Sequence, residues 1–516
     1  MLRAVPTGTW MPAWVPESTG LLSVLLLLCS IVQSTTGGYD GSMLNGLNIL
    51  PSYTDYFKLT PATKGLNTAS TFIGGFFGPM VAGVIADRLG RRPAIFWGTI
   101  VTLIGIILQG AAQNIAMFVI ARIILGAGGQ ISGIAGVVYL SETFPSRWRT
   151  WGLGLLNNCF YIGALIAAGI TLGTSKWEST WAWRAPSFFQ AIFSVICLLF
   201  LPFIPESPRW LVARDQYEDA RLVVALTNAN GDLHDPVAMA VYKQIFDTLQ
   251  WEKKDGRTMT LKEIIQTPTA RKRVLIGGSA GPFSCIAGNI IASYYLGDEL
   301  KTAGINSSDD QLKANVVLNI WCLFCCLLGT QLADIWGRKP TALLSQFLLI
   351  VCLFIIGGLS KMYADGDQSG AIIYGDVAVM FLFQGFYSIA WTPLLTLYPP
   401  EVMQYSCRAL GNAISSFALN ALALLLVFVM PIGLNNIGWK MYMINGSWDI
   451  ITLVLIAVYW VETKGKTLEE IDSLFDGGTH STIQNVEDIR RGKAILDVDK
   501  LEKDLHEDFA LKKRLD

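Results

Sequence analysis

GVIADRLGRR, residues 83–92, ends one apolar run and opens the next, and ADIWGRK, residues 333–339, repeats its pattern late in the chain. Self-similarity at such a distance marks a duplicated unit. A second pair supports this: Glu142-Thr-Phe-Pro145-Ser-Arg147-Trp-Arg149 and Glu401-Val-Met-Gln-Tyr-Ser-Cys-Arg408 each set Glu and Arg seven residues apart. A third pair, Pro205-Glu206-Ser207-Pro208-Arg209 and Glu462-Thr463-Lys464-Gly465, closes the two copies.

The material between these motifs is hydrocarbon-like. Of 516 residues, 52% are hydrophobic and 15% charged, with a mean hydropathy of +0.44, too apolar for a water-facing globule of this length. A helix needs about 20 apolar residues to cross ~30 Å of hydrocarbon. About twelve such runs occur, from 21–45 through the seventh at 273–297 to the last at 439–461. The expected fold is an all-α membrane protein with twelve transmembrane helices in two pseudo-symmetric six-helix halves. Residues 1–20, with Pro6, Pro12 and Pro16, read as a disordered or interfacial N-terminal segment. The first half covers 21–204 and the second 273–461. Between them, 205–272 reads as a loop with short helices, because PESPRWLVARDQYEDARLVVALTNAN has helical apolar spacing. The tail, 462–516, alternates charge and ends as a solvated helix.

Charge orients the chain. The 205–272 segment is rich in Lys and Arg, whereas 110–115, 360–370 and 434–438 carry at most one each, so the middle loop and both termini are expected in the cytoplasm. RLGRR, SRWR and GRK then fall on the same side, and no cleavable signal peptide is evident. Two sequons, at Asn306 and Asn445, fall on the outer side as glycosylation candidates. A net charge of -1 argues against nucleic acid. The nine cysteines sit almost all in apolar runs and the three histidines in polar ones, so no metal site is expected. No nucleophile and base or phosphate loop suggests an enzyme or a cofactor.

Within the first six runs, Asp40 (in GYDGSMLNGLN, 38–48) and Arg122 are ionisable residues set deep in apolar sequence. A charged Asp at a helix centre costs roughly 2.5–3.5 kcal/mol on insertion scales, so Asp40 needs a partner, and Arg122 is the expected one. The repeated charges, Asp87, Arg88, Arg91, Arg92, Glu142, Arg149, Glu206 and Arg209 in one half and Asp334, Arg338, Glu401, Arg408 and Glu462 in the other, are expected to form inter-helix salt bridges. Those bridges would hold the cytoplasmic side of an alternating-access transporter shut.

The motifs GVIADRLGRR, Arg122-Ile-Ile-Leu-Gly126-Ala-Gly128, SETFPSRWR, PESPRWL and VETKGKTLEEI (461–471) resemble those of the sugar porter family of the major facilitator superfamily, from about Gly38 to Asp472. GYDGSMLNGLN, NANGDLHDP (228–236), GNIIASYYL (288–296) and TPLLTLYPPEVMQYSCRALG (392–411) resemble its fungal lactose permease branch. The resemblance implies a plasma-membrane, monomeric proton symporter of a sugar or glycoside, a disaccharide included, with Asp40 and Arg122 as the proton-coupling pair. Sugar hydroxyls call for amides and aromatic faces, which makes Gln130, Asn157, Asn289, Tyr294, Tyr295, Gln384, Tyr387, Trp391, Asn412 and Asn420 the substrate-site candidates. Tyr294 and Tyr295 match a family tyrosine pair, Asn420 matches a branch amide, and Asn157 replaces a family glutamine.

The seventh run departs from the pattern: Ser284 and Cys285 stand where the family has glutamines, and Ile290 where asparagine is common. Ile335 replaces an arginine and Val461 a proline. The loss of hexose-gripping amides leaves a second reading, a transporter of a non-sugar small molecule such as a secondary metabolite or aromatic acid. A non-transporting sugar sensor is a third.

Overall fold

The computed structural model describes residues 2–4, 12, 14–255, 259–289, 307–365 and 370–466, with 471, 475 and 489. The first half runs α1 (Thr19–Ile49), α2 (Pro61–Leu89), α3 (Arg91–Gly110), α4 (Ile115–Thr143), α5 (Ser146–Thr174) and α6 (Trp181–Phe203). The second runs α7 (Pro268–Gly278 with Ala280–Ile286), α8 (Ser308–Ile335), α9 (Arg338–Ala364), α10 (Gly370–Val402), α11 (Tyr405–Ile437) and α12 (Lys440–Tyr459). All but α7 are long and apolar enough to cross a membrane; α7 leads into 290–306, outside the described residues. The protein is a multi-pass membrane protein. Its outer face is apolar, with side chains such as Phe77, Trp97, Ile107, Phe324 and Val454 more than half exposed, a surface suited to lipid rather than water.

Local chemistry sets the helix starts. Thr60, just before Pro61, forms a reciprocal capping box with Thr63 in the first turn of α2, and the Asn114 side chain accepts from the Met117 N–H. Pro268 sits at the first helical position of α7, so the seventh helix begins five residues before the boundary expected at 273. The N-terminal segment also differs from expectation: Leu2–Ala4 pairs antiparallel with Trp14–Pro16. Thr19 and Asn230 then cap each other, the Thr19 N–H donating to Asn230 Oδ1 and the Asn230 N–H to Thr19 Oγ1, each at 2.9 Å. The middle segment forms helices Pro208–Ala213, Tyr217–Asn228, Pro236–Asp255 and Leu261–Gln266. Trp210, Val223, Met239, Tyr242 and Phe246 give it a small core that also takes Tyr405 of α11. The tail beyond 466 lies almost wholly outside the described residues.

Within the bilayer there is no hydrophobic gain from bringing helices together, so close approach and polar contacts must supply it. At the α1–α5 crossing a Cβ on Gly38 would meet the Phe160 carbonyl oxygen at 1.8 Å, and one on Gly163 the Thr35 carbonyl oxygen at 2.0 Å. The two halves meet along α5. The Leu153 carbonyl accepts from Thr396 Oγ1 (2.8 Å), Asn157 Nδ2 donates to the Thr392 carbonyl (2.6 Å), Asn158 Nδ2 to Thr330 Oγ1 (2.8 Å), and Ser388 Oγ to Tyr161 Oη (2.7 Å). A second seam runs between α2 and α11, where Gly75 lies against the Asn420 amide and Gly83 against Leu410.

Candidate functional site

Asp40 and Arg122 meet inside the first half. Arg122 Nη1 and Nη2 donate to Asp40 Oδ1 and Oδ2 at 2.9 Å each, with both side chains almost fully buried. Such a fork matches guanidinium to carboxylate geometry and fixes both groups. The remaining polar valences are supplied by neighbours. Arg122 Nε donates to the Asn67 carbonyl (2.9 Å) and lies 3.2 Å from Ser70 Oγ, while Thr71 Oγ1 (3.4 Å) and Gln190 Nε2 (3.5 Å) reach the Asp40 carboxylate. Gln190 occupies the joint in α6 between Trp181–Phe189 and Ala191–Phe200. Asn67, Ser70, Thr71 and Gln190 were missed from sequence; single amides and hydroxyls in apolar helices carry no distinguishing pattern.

The repeated motifs gather at one end of the bundle, the charged end, and the two halves solve the same local problem twice. Arg91 forks onto Glu142 at 3.1 and 3.2 Å, and Arg338 onto Glu401 at 3.0 and 2.7 Å. Ser207 Oγ donates to Glu142 Oε2 (2.5 Å) as Thr463 Oγ1 does to Glu401 Oε2 (2.7 Å). Tyr139 Oη donates to the Pro205 carbonyl and Tyr398 Oη to the Val461 carbonyl. Asp87 pairs with Arg91 at 3.2 Å.

Glu206 and Glu462 depart from the expected salt bridges. Glu206 accepts from the N–H groups of Arg91 and Arg92 (3.1 Å each), and Glu462 from those of Arg338 and Lys339 (3.0 Å each). Each carboxylate caps the first turn of the third helix of its half, where unpaired N–H groups and the helix dipole favour an anion. Burial pushes the Glu206 carboxyl above its usual range, and the N–H groups of Ser207, Arg92 and Arg91, with the Arg91 charge, pull it back. The cap explains the glycine of each motif. Gly90 (φ +105°) and Gly337 (φ +112°) precede α3 and α9, and a Cβ there would lie 2.6 and 2.5 Å from the Glu206 and Glu462 oxygens. Gly337→Ala is expected to cost roughly 1–3 kcal/mol, since that backbone region is essentially reserved for glycine; thermal unfolding of the purified protein measures it.

Most of these ion pairs therefore lie within one half rather than between halves. The described pair that crosses is Arg408 Nη1 to Glu142 Oε1 at 3.4 Å, with Arg408 Nε also donating to the Pro400 and Met403 carbonyls. Arg91 adds a second inter-half contact, its guanidinium lying 5.3 Å from the Tyr405 ring centre. Arg209 donates to the Glu142 carbonyl (2.8 Å) and Arg92 Nε to that of Leu201 (3.1 Å). Arg88 and Asp334 are exposed, and the side chain of Arg149 lies outside those described. The end is closed in this conformation.

The substrate candidates divide. Asn157 reaches across the seam, accepting from Ser34 Oγ (3.1 Å) while donating to Thr392, and Asn420 lies in the α2–α11 seam. Gln130 packs beside Gly78, and Gln384 and Tyr387 are buried on α10 near Ser388. Asn412 donates to its own helix at the Arg408 carbonyl (2.9 Å). Trp391 is occupied within the second half, its Nε1 donating to Gln346 Oε1 (3.0 Å) and its ring set edge-on to Trp460. Asn289 follows Gly288 (φ +93°). Tyr294, Tyr295, Ile290 and the sequon at Asn306 lie outside the described residues. Asn445 is corrected: it is fully buried inside α12 with its amide against Gly288, beyond the reach of glycosylation. Ser284 Oγ donates to the Gly281 carbonyl of its own helix (2.7 Å), and Cys285 is buried in the apolar core.

Comparison with known proteins agrees with this architecture. The profile of the family described as "Sugar (and other) transporter" matches residues 26–475. The chain is 29% identical to the MFS-type transporter oryC of Aspergillus oryzae over 91% of its length and 86% of the relative's. It is 28% identical to the high-affinity glucose transporter of Kluyveromyces lactis, covering 85% and 82% of the two chains. Among solved structures, the proton:xylose symporter XylE bound to a bromodeoxyglucose superposes with a TM-score of 0.77 at 20% identity, over 89% of this chain and all of that one. The inward-open form of XylE from E. coli gives 0.62 at 19% identity, over the same share of each. With two six-helix halves, a doubled charge clamp and a family profile spanning nearly all the described helices, the chain belongs to the sugar transporter family of the major facilitator superfamily.

Proposed function

We propose that the protein is a proton-coupled symporter of a sugar or glycoside, working as a monomer in the plasma membrane with both termini and the charged end in the cytoplasm. The Asp40–Arg122 fork carries this reading, since it places a titratable carboxylate beside a permanent cation at bilayer depth. A proton arriving at Asp40 cancels its charge and frees it from Arg122. The hydrogen bonds of Thr71 and Gln190 to the carboxylate then lose strength, and the packing of α1 against α2, α4 and α6 changes with them. Arg122 stays bound to Asn67 and Ser70 throughout.

The charged end would be the inner gate, with Arg408–Glu142 as its latch. Gln130, Asn157, Asn289, Gln384, Tyr387 and Asn420 are the proposed substrate contacts among the described residues. Asn157 is bonded to both halves, so a ligand that competes for its amide would weaken the seam it crosses. Similar proteins support the sugar reading: XylE is a proton:xylose symporter, and the Kluyveromyces relative is a high-affinity glucose transporter.

One observation favours a second reading, a non-sugar metabolite. Ser284 spends its hydroxyl on its own helix and Cys285 faces apolar side chains, so this stretch of α7 offers little to sugar hydroxyls. Expression in a transporter-deficient host, with external pH recorded during uptake of mono-, di- and non-sugar substrates, separates the two. Alkalinisation on adding a sugar is the expected result; uptake restricted to non-sugar compounds would replace the first reading with the second.

A further inference from the structure

The second half holds its own intramembrane carboxylate. Asp449, near the middle of α12, is fully buried, and neither of its oxygens has a hydrogen-bond partner among the described residues. One turn earlier on the same helix face, both amide atoms of Asn445 are likewise buried and unpartnered. Opposite them on α9, Gln346 gives its Oε1 to Trp391, while its Nε2, which faces Asp449, is also without a partner within hydrogen-bond distance. Five orphaned polar atoms thus converge in an interior where an unmade hydrogen bond costs about 1–3 kcal/mol.

An ionised carboxylate here would need a counter-charge. The helices packed on α12 are α9, α11 and the second piece of α7. The second piece of α7 has no cation; those of α9 and α11 are Arg338, Lys339, Lys361 and Arg408, the first piece of α7 carries Arg271, Lys272 and Arg273, and α12 itself adds Lys440; all lie at or near helix ends. Arg338 and Arg408 are bound to Glu401 and Glu142, Arg273 lies over Phe475, and Lys361 and Lys440 lie over Trp439. Along α12 itself, Lys440 is ~13 Å from Asp449 at 1.5 Å per residue. The other titratable groups of these helices at this depth are the thiols Cys285 and Cys352 and the Tyr442 phenol, none of which supplies positive charge.

We propose that Asp449 is a second proton-binding site, in the C-terminal half, formed with Gln346 and Asn445 beside the end of α7. A proton from water adds to one carboxylate oxygen; the resulting O–H has Asn445 Oδ1 as acceptor, and the other oxygen has Gln346 Nε2 as donor. The Asn445 amide touches Gly288, whose φ of +93° follows directly on the end of α7, so movement at that turn reaches the acid through one side chain. Each half thus carries a buried acid beside a glutamine amide of another helix: Asp40 on α1 with Gln190 on α6, and Asp449 on α12 with Gln346 on α9.

The test is infrared difference spectroscopy on the full chain in lipid vesicles at neutral pH, comparing wild type with Asp449→Asn. The expected result is a carbonyl band of a protonated acid that shifts in D2O and is missing from the variant. No such band, or a band that sodium chloride removes while choline chloride does not, overturns the proposal, the latter by making the site one for a metal cation. Should Asp449→Asn fail to fold, Gln346→Leu decides: it removes the donor to the acid carbonyl, so the band must move to higher frequency, and an unmoved band overturns the assignment.

Discussion

Asp40→Asn is expected to abolish accumulation while leaving exchange of substrate across the membrane intact. One proton entering down 100 mV contributes about 2.3 kcal/mol, which sustains roughly a fifty-fold gradient. The amide cannot carry that proton, so the variant should bring substrate only to equal concentrations, with no substrate-driven alkalinisation of the medium. Stability separates the two partners of the fork. Removing one member of a buried pair costs about 3–5 kcal/mol because the other is left charged. Asp40 escapes that cost by taking a proton, whereas a guanidinium cannot release one. Arg122→Leu should therefore unfold at a higher temperature than Asp40→Asn, even though both lose coupling. A folded Asp40→Asn protein that still accumulates substrate would remove Asp40 from the coupling step.

Glu142→Gln is expected to open the charged end. Glu142 is fully buried and takes Arg91, Arg408 and Ser207 together, so its charge serves a clamp inside the first half and the latch between halves. A charge-assisted hydrogen bond is worth about 1.5–3 kcal/mol, so its loss should shift the balance toward the open end by tenfold or more. Cys407, next to Arg408 and fully buried, reports this directly: a membrane-impermeant thiol reagent should leave it unmodified in the wild type and label it in the variant. Arg408→Gln should produce the same labelling, and the double variant little more than either alone, since one bond is being broken twice. Labelling that stays at the wild-type level in both variants would show that the latch lies elsewhere, in the α5 or α2–α11 seam.

The fold was legible because its determinants are local and repeated: long apolar runs, and acids and bases recurring at one place in each half. The Asp40–Arg122 pair was legible for a related reason, since charge is scarce in those helices and each must find the other. What each acid does at the charged end was not legible. Glu206 and Glu142 look alike in sequence, yet one caps a helix through backbone N–H groups and the other binds guanidinium; the choice depends on which donor the fold brings near. Asn445 shows the converse limit, because a sequon reports three residues and nothing about depth or facing. Gln190 passed unnoticed for want of any pattern around it, although it touches the site. The α7 boundary at Pro268 could have been found, since proline at a first helical turn is a recognisable start.

The two glutamate caps have a consequence for how the chain is made. The bonds from Arg91 and Arg338 to Glu206 and Glu462 span 115 and 124 residues. At translation rates of about 5–20 residues per second, the start of α3 waits on the order of ten seconds, while three more helices enter the bilayer, before the group that completes it leaves the ribosome. Each half is thus a unit whose last residues finish its beginning. A nascent chain halted just short of Glu206 would present an uncapped start to α3 before any of the second half exists, and one halted just short of Glu462 would leave the start of α9 uncapped in the same way.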